Sequence, residues 1–240
     1  MIDRRELFTG GAAAVLLLTS DAIAAPAAKP VPTAPHKPGS HEPVPLPFDP
    51  AKLHGLSAAM LTSHHDNNYV GAVKNLNKVE AELETLAKDA PGFAVFGLRE
   101  RQLTYANSKV LHELYFGNLG GDGKLAGGIE KRLAAHFGSS ARWEEQFRAA
   151  AMALGGGSGW VMLAANFATG ALDLIATSEH AKALAFGQPL LVLDMYEHSY
   201  AIDFGAAHAK YIDAFFANVR WDEVDRRLVK ADRVIASLRV

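Results

Sequence analysis

The side chains of this 240-residue chain best suited to chemistry are its ten histidines, and there is no cysteine. That absence excludes disulfides, cysteine nucleophiles and thiolate metal sites. Any bound metal must be held by nitrogen and oxygen. Asp194 and His198 directly follow the apolar run 190–193, and side chains four residues apart converge where the chain turns helically. His64 opens the pair His64-His65 in a stretch of helical periodicity, with Asn68 and Ala72 on the same stripe. His112 lies between Leu111 and Leu114, on what the pattern makes an interior helix face. Three imidazoles and one carboxylate compose a hard-to-borderline N3O set, suited to iron, manganese or zinc. Spacing alone does not bring them together. An Asp–His pair at this interval is commonly a surface hydrogen bond, and a histidine on an apolar face is commonly a hydrogen-bonded core residue.

Several elements would have to position these groups. Leu56 to Leu86 reads as a helix, with Ser57 able to cap it and Leu76, Val79 and Leu83 at helical spacing. Glu100 to Phe116 reads as a second helix. Ala90-Pro91-Gly92 breaks the chain between them, which predicts an antiparallel helical hairpin. Further helices are expected over Ile129–Phe137 and Ala141–Leu154. The period then shortens: 160–163, 172–176 and 190–193 are apolar runs bounded by turn residues and suit three strands. Gly155-Gly156-Gly157-Ser158-Gly159 lacks the Lys-Ser/Thr of a phosphate loop and reads as a turn entering a strand. Ala206–Val219 and Trp221–Leu238 close the chain as helices. The fold class is therefore α+β: an N-terminal helical hairpin followed by an α/β domain with a small three-stranded antiparallel sheet.

Hydrophobic residues make up 49% and charged residues 21%, enough apolar material for a core. A formal charge of -2 gives no basic excess for nucleic acid or an anionic membrane. Residues 1–24 read as an export signal: Arg4-Arg5, an apolar run from Gly10 to Leu18, and the small-x-small site Ala22-Ile23-Ala24. The apolar run is too short to span a bilayer. The arginine pair before Glu6-Leu7-Phe8 resembles a twin-arginine signal, although Asp3 stands where a Ser or Thr is usual; the plain alternative is an ordinary secretory signal. Ala25 to Pro50 holds nine of the eleven prolines, so 25–45 is expected to be a disordered tether exposing His36 and His41, with Val44–Phe48 docking at its end. The expected organisation is 1–24 signal, 25–45 tether, 46–120 helical hairpin domain and 121–240 α/β domain, in a periplasmic protein.

The run Leu193-Asp194-Met195-Tyr196-Glu197-His198-Ser199-Tyr200 resembles the Asp-x-Trp-Glu-His-x-Tyr signature of the iron/manganese superoxide dismutases. His136-Phe137-Gly138-Ser139, Gly157-Ser158-Gly159-Trp160, Leu46-Pro47-Phe48 and the stretch from Tyr211 to Val224 follow the same family in its order. So does the gapless stretch from Leu56-Ser57 through His64-His65 to Asn75-Leu76-Asn77. The resemblance, from about Leu46 to Leu228, implies one iron or manganese held by His64, His112, Asp194 and His198, with superoxide as substrate and a water or hydroxide as fifth ligand. It implies a homodimer in which Glu197 reaches the ligand histidine of the other subunit; the alternative is an ion pair within the subunit. It makes His180 an outer-shell partner of the coordinated solvent, and Ser108 stands at the iron-type position for that role. The plain reading of His180 is a surface histidine in a loop.

The pattern is broken in places. Where the family carries a channel tyrosine this chain has Ala72, and at its channel histidine it has Asn68. Ala201 replaces the tyrosine that partners that histidine, and Tyr196 replaces the signature tryptophan. Tyr69, one helical turn before Ala72, is expected either to send its hydroxyl into the channel or to pack within the hairpin. The implied activity is superoxide dismutation with altered proton delivery or a slower second half-reaction. The competing readings are a diverged metalloprotein, for instance a hydrolase using a bound hydroxide, and an envelope binding module with a structural metal.

Overall fold

The computed structural model describes residues 37–182 and 184–238. The predicted export signal, the first part of the tether and His36 lie outside them.

The first long helix begins where Ser57 accepts a hydrogen bond from the Met60 amide, the cap its residue type predicts. The helical run then has three parts: α1 (Ala58–Ser63), a π-helical turn at His64–Tyr69, and α2 (Val70–Glu84). A π turn inserts an extra residue and moves every later side chain round the axis, a feature concentrated at functional sites. Its buried members are His64 and Tyr69, five residues apart, which is the π repeat. The unbroken α-helical stripe read from the sequence is therefore out of phase here.

The second helix, α3, covers Gly92–Gly117 and starts eight residues earlier than Glu100. Pro91 sets its entry, and the Pro91 carbonyl accepts from the amides of Ala94 and Val95. Gly92, Gly97 and the exposed Phe93 and Phe96 obscured the pattern in this first stretch. α2 and α3 pack as the expected hairpin. Helices α4 (Gly128–Phe137) and α5 (Ser140–Leu154) follow, the second capped by Ser139.

Strands β1 (Trp160–Asn166), β2 (Leu172–Thr177) and β3 (Gly187–Asp194) form an antiparallel sheet in the order β2-β1-β3. At the entry to β1, Gly159 has φ 151°, and a Cβ there would lie 2.1 Å from the Thr177 carbonyl oxygen. Only glycine lets the chain pass this close, and the following residue, Trp160, pairs with Thr177 on one side and Asp194 on the other. The chain closes with the short α6 (Ala201–Phe204), then α7 (His208–Ala217) and α8 (Trp221–Leu238).

Two buried polar side chains tie the hairpin to the sheet. Asn118, just past α3, accepts from the Val192 amide and donates to the Leu190 carbonyl. Arg227 of α8 donates to the carbonyls of Leu190 and Leu114. These bonds satisfy buried backbone groups and fix the spacing between α3 and β3, the elements carrying His112 and Asp194.

The proline-rich segment docks earlier than Val44. His41 is not solvent-exposed as expected: its amide donates to Asn77, its carbonyl accepts from Asn77, and its ring lies 3.1 Å from Glu80. α2 supplies the acceptors that a free tether would have had to find in water.

A candidate metal centre

His64 comes from the π turn, His112 from α3, Asp194 from the last residue of β3, and His198 from the 3-10 turn Glu197–Ser199. One ligating atom from each lies within 4.8 Å of all the others. Asp194 Oδ2 is the hub, at 3.1 Å from His64 Nε2, 3.3 Å from His198 Nε2 and 3.6 Å from His112 Nε2. His64, His112 and Asp194 are buried, while the side chain of His198 retains 24% exposure.

The surroundings hold each group in place. Asp194 Oδ1 accepts from the Tyr196 amide at 2.8 Å, and the Asp194 carbonyl accepts from the Tyr211 hydroxyl at 2.8 Å. His112 Nδ1 donates to the carbonyl of Ser108, one turn back on α3, at 2.7 Å. With the ring proton on Nδ1, Nε2 carries a lone pair. That buried nitrogen has no hydrogen-bond partner, nor does His64 Nδ1. A lone pair aimed at a carboxylate oxygen is repulsive unless a cation lies between them. The donor set and this orphaned nitrogen fit a metal ion.

Electrostatics agree. Burial, followed by the neighbouring His64, pushes the His112 pKa down to about 3. Burial also lowers His64, against the pull of Asp194. Both imidazoles are therefore neutral at physiological pH, the form that ligates. Burial opposes ionisation of Asp194, but hydrogen bonds from His198 and His64 outweigh it and hold the carboxyl well below the usual range.

A cleft of about 230 Å³ reaches this cluster at His112 and His198. His180 lines it. Trp160 Nε1 donates to His180 Nδ1 at 2.9 Å, Asn107 donates to the His180 carbonyl, and the Tyr196 ring stacks on the imidazole at 4.5 Å and 7°. With Nδ1 accepting, the neutral ring carries its proton on Nε2. Burial lowers the His180 pKa.

Residues 125–227 match the C-terminal domain of the iron/manganese superoxide dismutases. The chain is 46% identical over 194 residues to a superoxide dismutase [Fe] of Cupriavidus metallidurans, covering 80% of this chain and 98% of that protein. The chain belongs to the iron/manganese superoxide dismutase family. Other relatives are a superoxide dismutase [Mn] of Haloferax volcanii, 35% identical over 79% of this chain and 95% of the relative, and a superoxide dismutase [Fe] of Aquifex pyrophilus, 31% identical over 79% and 92%.

Within the family framework, one expectation needs correction. Ala72 and Asn68 line the cleft, but the Tyr69 hydroxyl does not open into it. It lies in a separate cavity, where it donates to Glu113 Oε1 and accepts from the Val44 amide, both at 2.8 Å. The π turn carries Tyr69 inward, away from Ala72. Burial raises its pKa to about 12, despite the Val44 bond and with help from Glu113. Tyr69→Phe is expected to cost about 1–2 kcal/mol of stability, read as a lower Tm, and to leave superoxide turnover and its pH profile unchanged.

Sequence reasoning named Trp160 only within the Gly157–Trp160 match, and passed over Asn107, which holds the His180 carbonyl, and Tyr105, which lines the cleft. Trp160 carried a signal, since it opens the strand that must pair with β3. Asn107 and Tyr105 carried one only in retrospect, through their helical phase relative to His112.

Proposed function

We propose that this chain dismutes superoxide at a single iron or manganese ion held by His64, His112, Asp194 and His198. The observation that carries the reading is the convergence of these four side chains, drawn from four separate elements, in a chain nearly half identical to a superoxide dismutase [Fe]. The ion would supply a one-electron couple between two superoxide ions. Oxygen leaves from the first half-reaction. Hydrogen peroxide leaves from the second, which consumes two protons.

The chain's residues set the conditions for this. Three imidazoles supply lone pairs, and the ionised Asp194 adds the charge that favours the oxidised ion. Packing around His64, His112 and Asp194 excludes bulk water, while His198 and the cleft keep one side open. His180 presents Nε2–H to that cleft and serves as the outer-shell donor.

Three finer assignments belong to the same proposal. Residues 46–120 form a hairpin part and 121–240 an α/β part, each supplying two ligands. The subunit pairs with a second copy through Glu197, which is exposed, adjoins His198 and meets no cation among the described residues. The protein is exported to the periplasm through the twin-arginine-like segment 1–24, the 25–45 stretch serving as spacer. Among the described residues no helix is long and apolar enough to cross a membrane.

The test is reconstitution. Purified protein is loaded separately with iron and with manganese, and metal content and superoxide consumption are measured. The expected result is one ion per chain and rapid consumption with at least one metal. Full loading without consumption overturns the reading and favours a hydrolytic or binding role.

A further inference from the structure

The second half-reaction needs protons, and the cleft limits where they come from. Ser108 Oγ lies 3.4 Å from His112 Nδ1, a site already bonded to the Ser108 carbonyl. His180 has one N–H, which its role as outer-shell donor occupies. The other acidic hydrogen in the cleft wall is the phenol of Tyr105.

Tyr105 lies one turn before Ser108 and two turns before His112, so all three share a face of α3. Across the cleft stand Gly71 and Ala72 of α2, and a Cβ added at Gly71 would meet nothing within 4 Å. These two small residues leave room for a ring projecting from α3. Tyr105 is half-buried, and its hydroxyl makes no hydrogen bond to another described residue. A half-buried phenol without a protein partner, in the wall of the cleft that reaches two ligand histidines, is available to solvent and substrate.

We infer that Tyr105 is a catalytic residue of this centre, donating a proton in the cleft to the dioxygen species formed by the second electron transfer. This rests on the dismutase reading. The balance is complete. The electron comes from the first superoxide. The Tyr105 O–H bond breaks, an O–H bond to the reduced dioxygen forms, and the phenolate recovers its proton from solvent. The second proton comes from solvent as hydrogen peroxide leaves.

The test compares wild type and Tyr105→Phe, loaded with whichever metal supports activity. The readouts are metal content, azide affinity from the visible spectrum, kcat for superoxide and its solvent deuterium isotope effect. Metal content and azide affinity within twofold of wild type, kcat lower by at least about tenfold and an altered isotope effect support the inference. A smaller loss of kcat, or an unchanged isotope effect, overturns it while leaving the dismutase reading intact. So does a loss of kcat matched by lost metal or lost azide binding, which marks a structural role. A wild type inactive with both metals overturns the dismutase reading and this inference with it.

Discussion

Asp194→Asn is expected to abolish superoxide consumption and to reduce iron and manganese retention by at least about 100-fold, the upper end for loss of a supporting partner being a minimum for a ligand. The carboxylate does two things at once. Oδ1 accepts from the Tyr196 amide, and Oδ2 faces all three Nε2 atoms. Asparagine can keep the first bond through its amide oxygen, so the side chain keeps its direction. Its NH2 group then replaces Oδ2. That group has no lone pair to offer a metal and donates hydrogens to the imidazole lone pairs a metal would use. The charge that offsets the cation is lost as well.

Metal-free and metal-loaded protein lose different interactions. In the metal-free wild type the buried His112 Nε2 is unsatisfied and faces an anion. The asparagine NH2 meets that acceptor but replaces the oxygen that accepts from His64 and His198, so metal-free Asp194→Asn is expected to melt below metal-free wild type. Metal stabilises the wild type by about 2.7 kcal/mol at a free concentration 100 times Kd, and this increment is expected to vanish in the variant. Melting curves with and without metal, together with metal content, check the result. A variant that loads fully and still consumes superoxide removes Asp194 from the site.

Different parts of this arrangement were legible to different degrees. The apolar runs around Trp160, Leu172 and Leu190 gave the sheet because buried strands leave a short, turn-bounded pattern. Ser57 marked the first helix because capping is local chemistry. His64, His112, Asp194 and His198 could be picked out by type, but their convergence depends on contacts such as Asn118 to β3, between residues more than 70 apart. The resemblance supplied what periodicity could not. The π turn left no local trace, so the phase of Tyr69 was misjudged by extending an α-helical period through it. His41 was misjudged because proline content describes the chain's own stiffness and says nothing of the acceptors on Asn77 and Glu80.

His180→Ala is expected to lower kcat by about 100-fold, at the low end for a positioned proton donor or acceptor, with metal content unchanged because His180 is outside the four-ligand cluster. The ring is clamped on two sides. Trp160 donates to Nδ1, and Tyr196 lies flat against one face and also stacks on His198 at 5.4 Å. The clamp fixes the tautomer, and burial keeps the ring neutral, so the cleft receives one N–H and no added charge. Alanine removes that donor and leaves the buried Trp160 N–H without an acceptor, which costs about 1–3 kcal/mol. His180→Gln restores both an acceptor for Trp160 and a donor for the cleft, and is expected to recover most of the lost kcat. Trp160→Phe keeps the ring but frees the tautomer, and is expected to lower kcat by a smaller factor. In the His180→Ala background the same change is expected to have little further effect on kcat, since the two residues act through one hydrogen bond. Superoxide consumption at matched metal loading reads the whole cycle. Full activity in His180→Ala would remove His180 from the outer-shell role, and equal and additive losses from the two positions would show that Trp160 acts through packing.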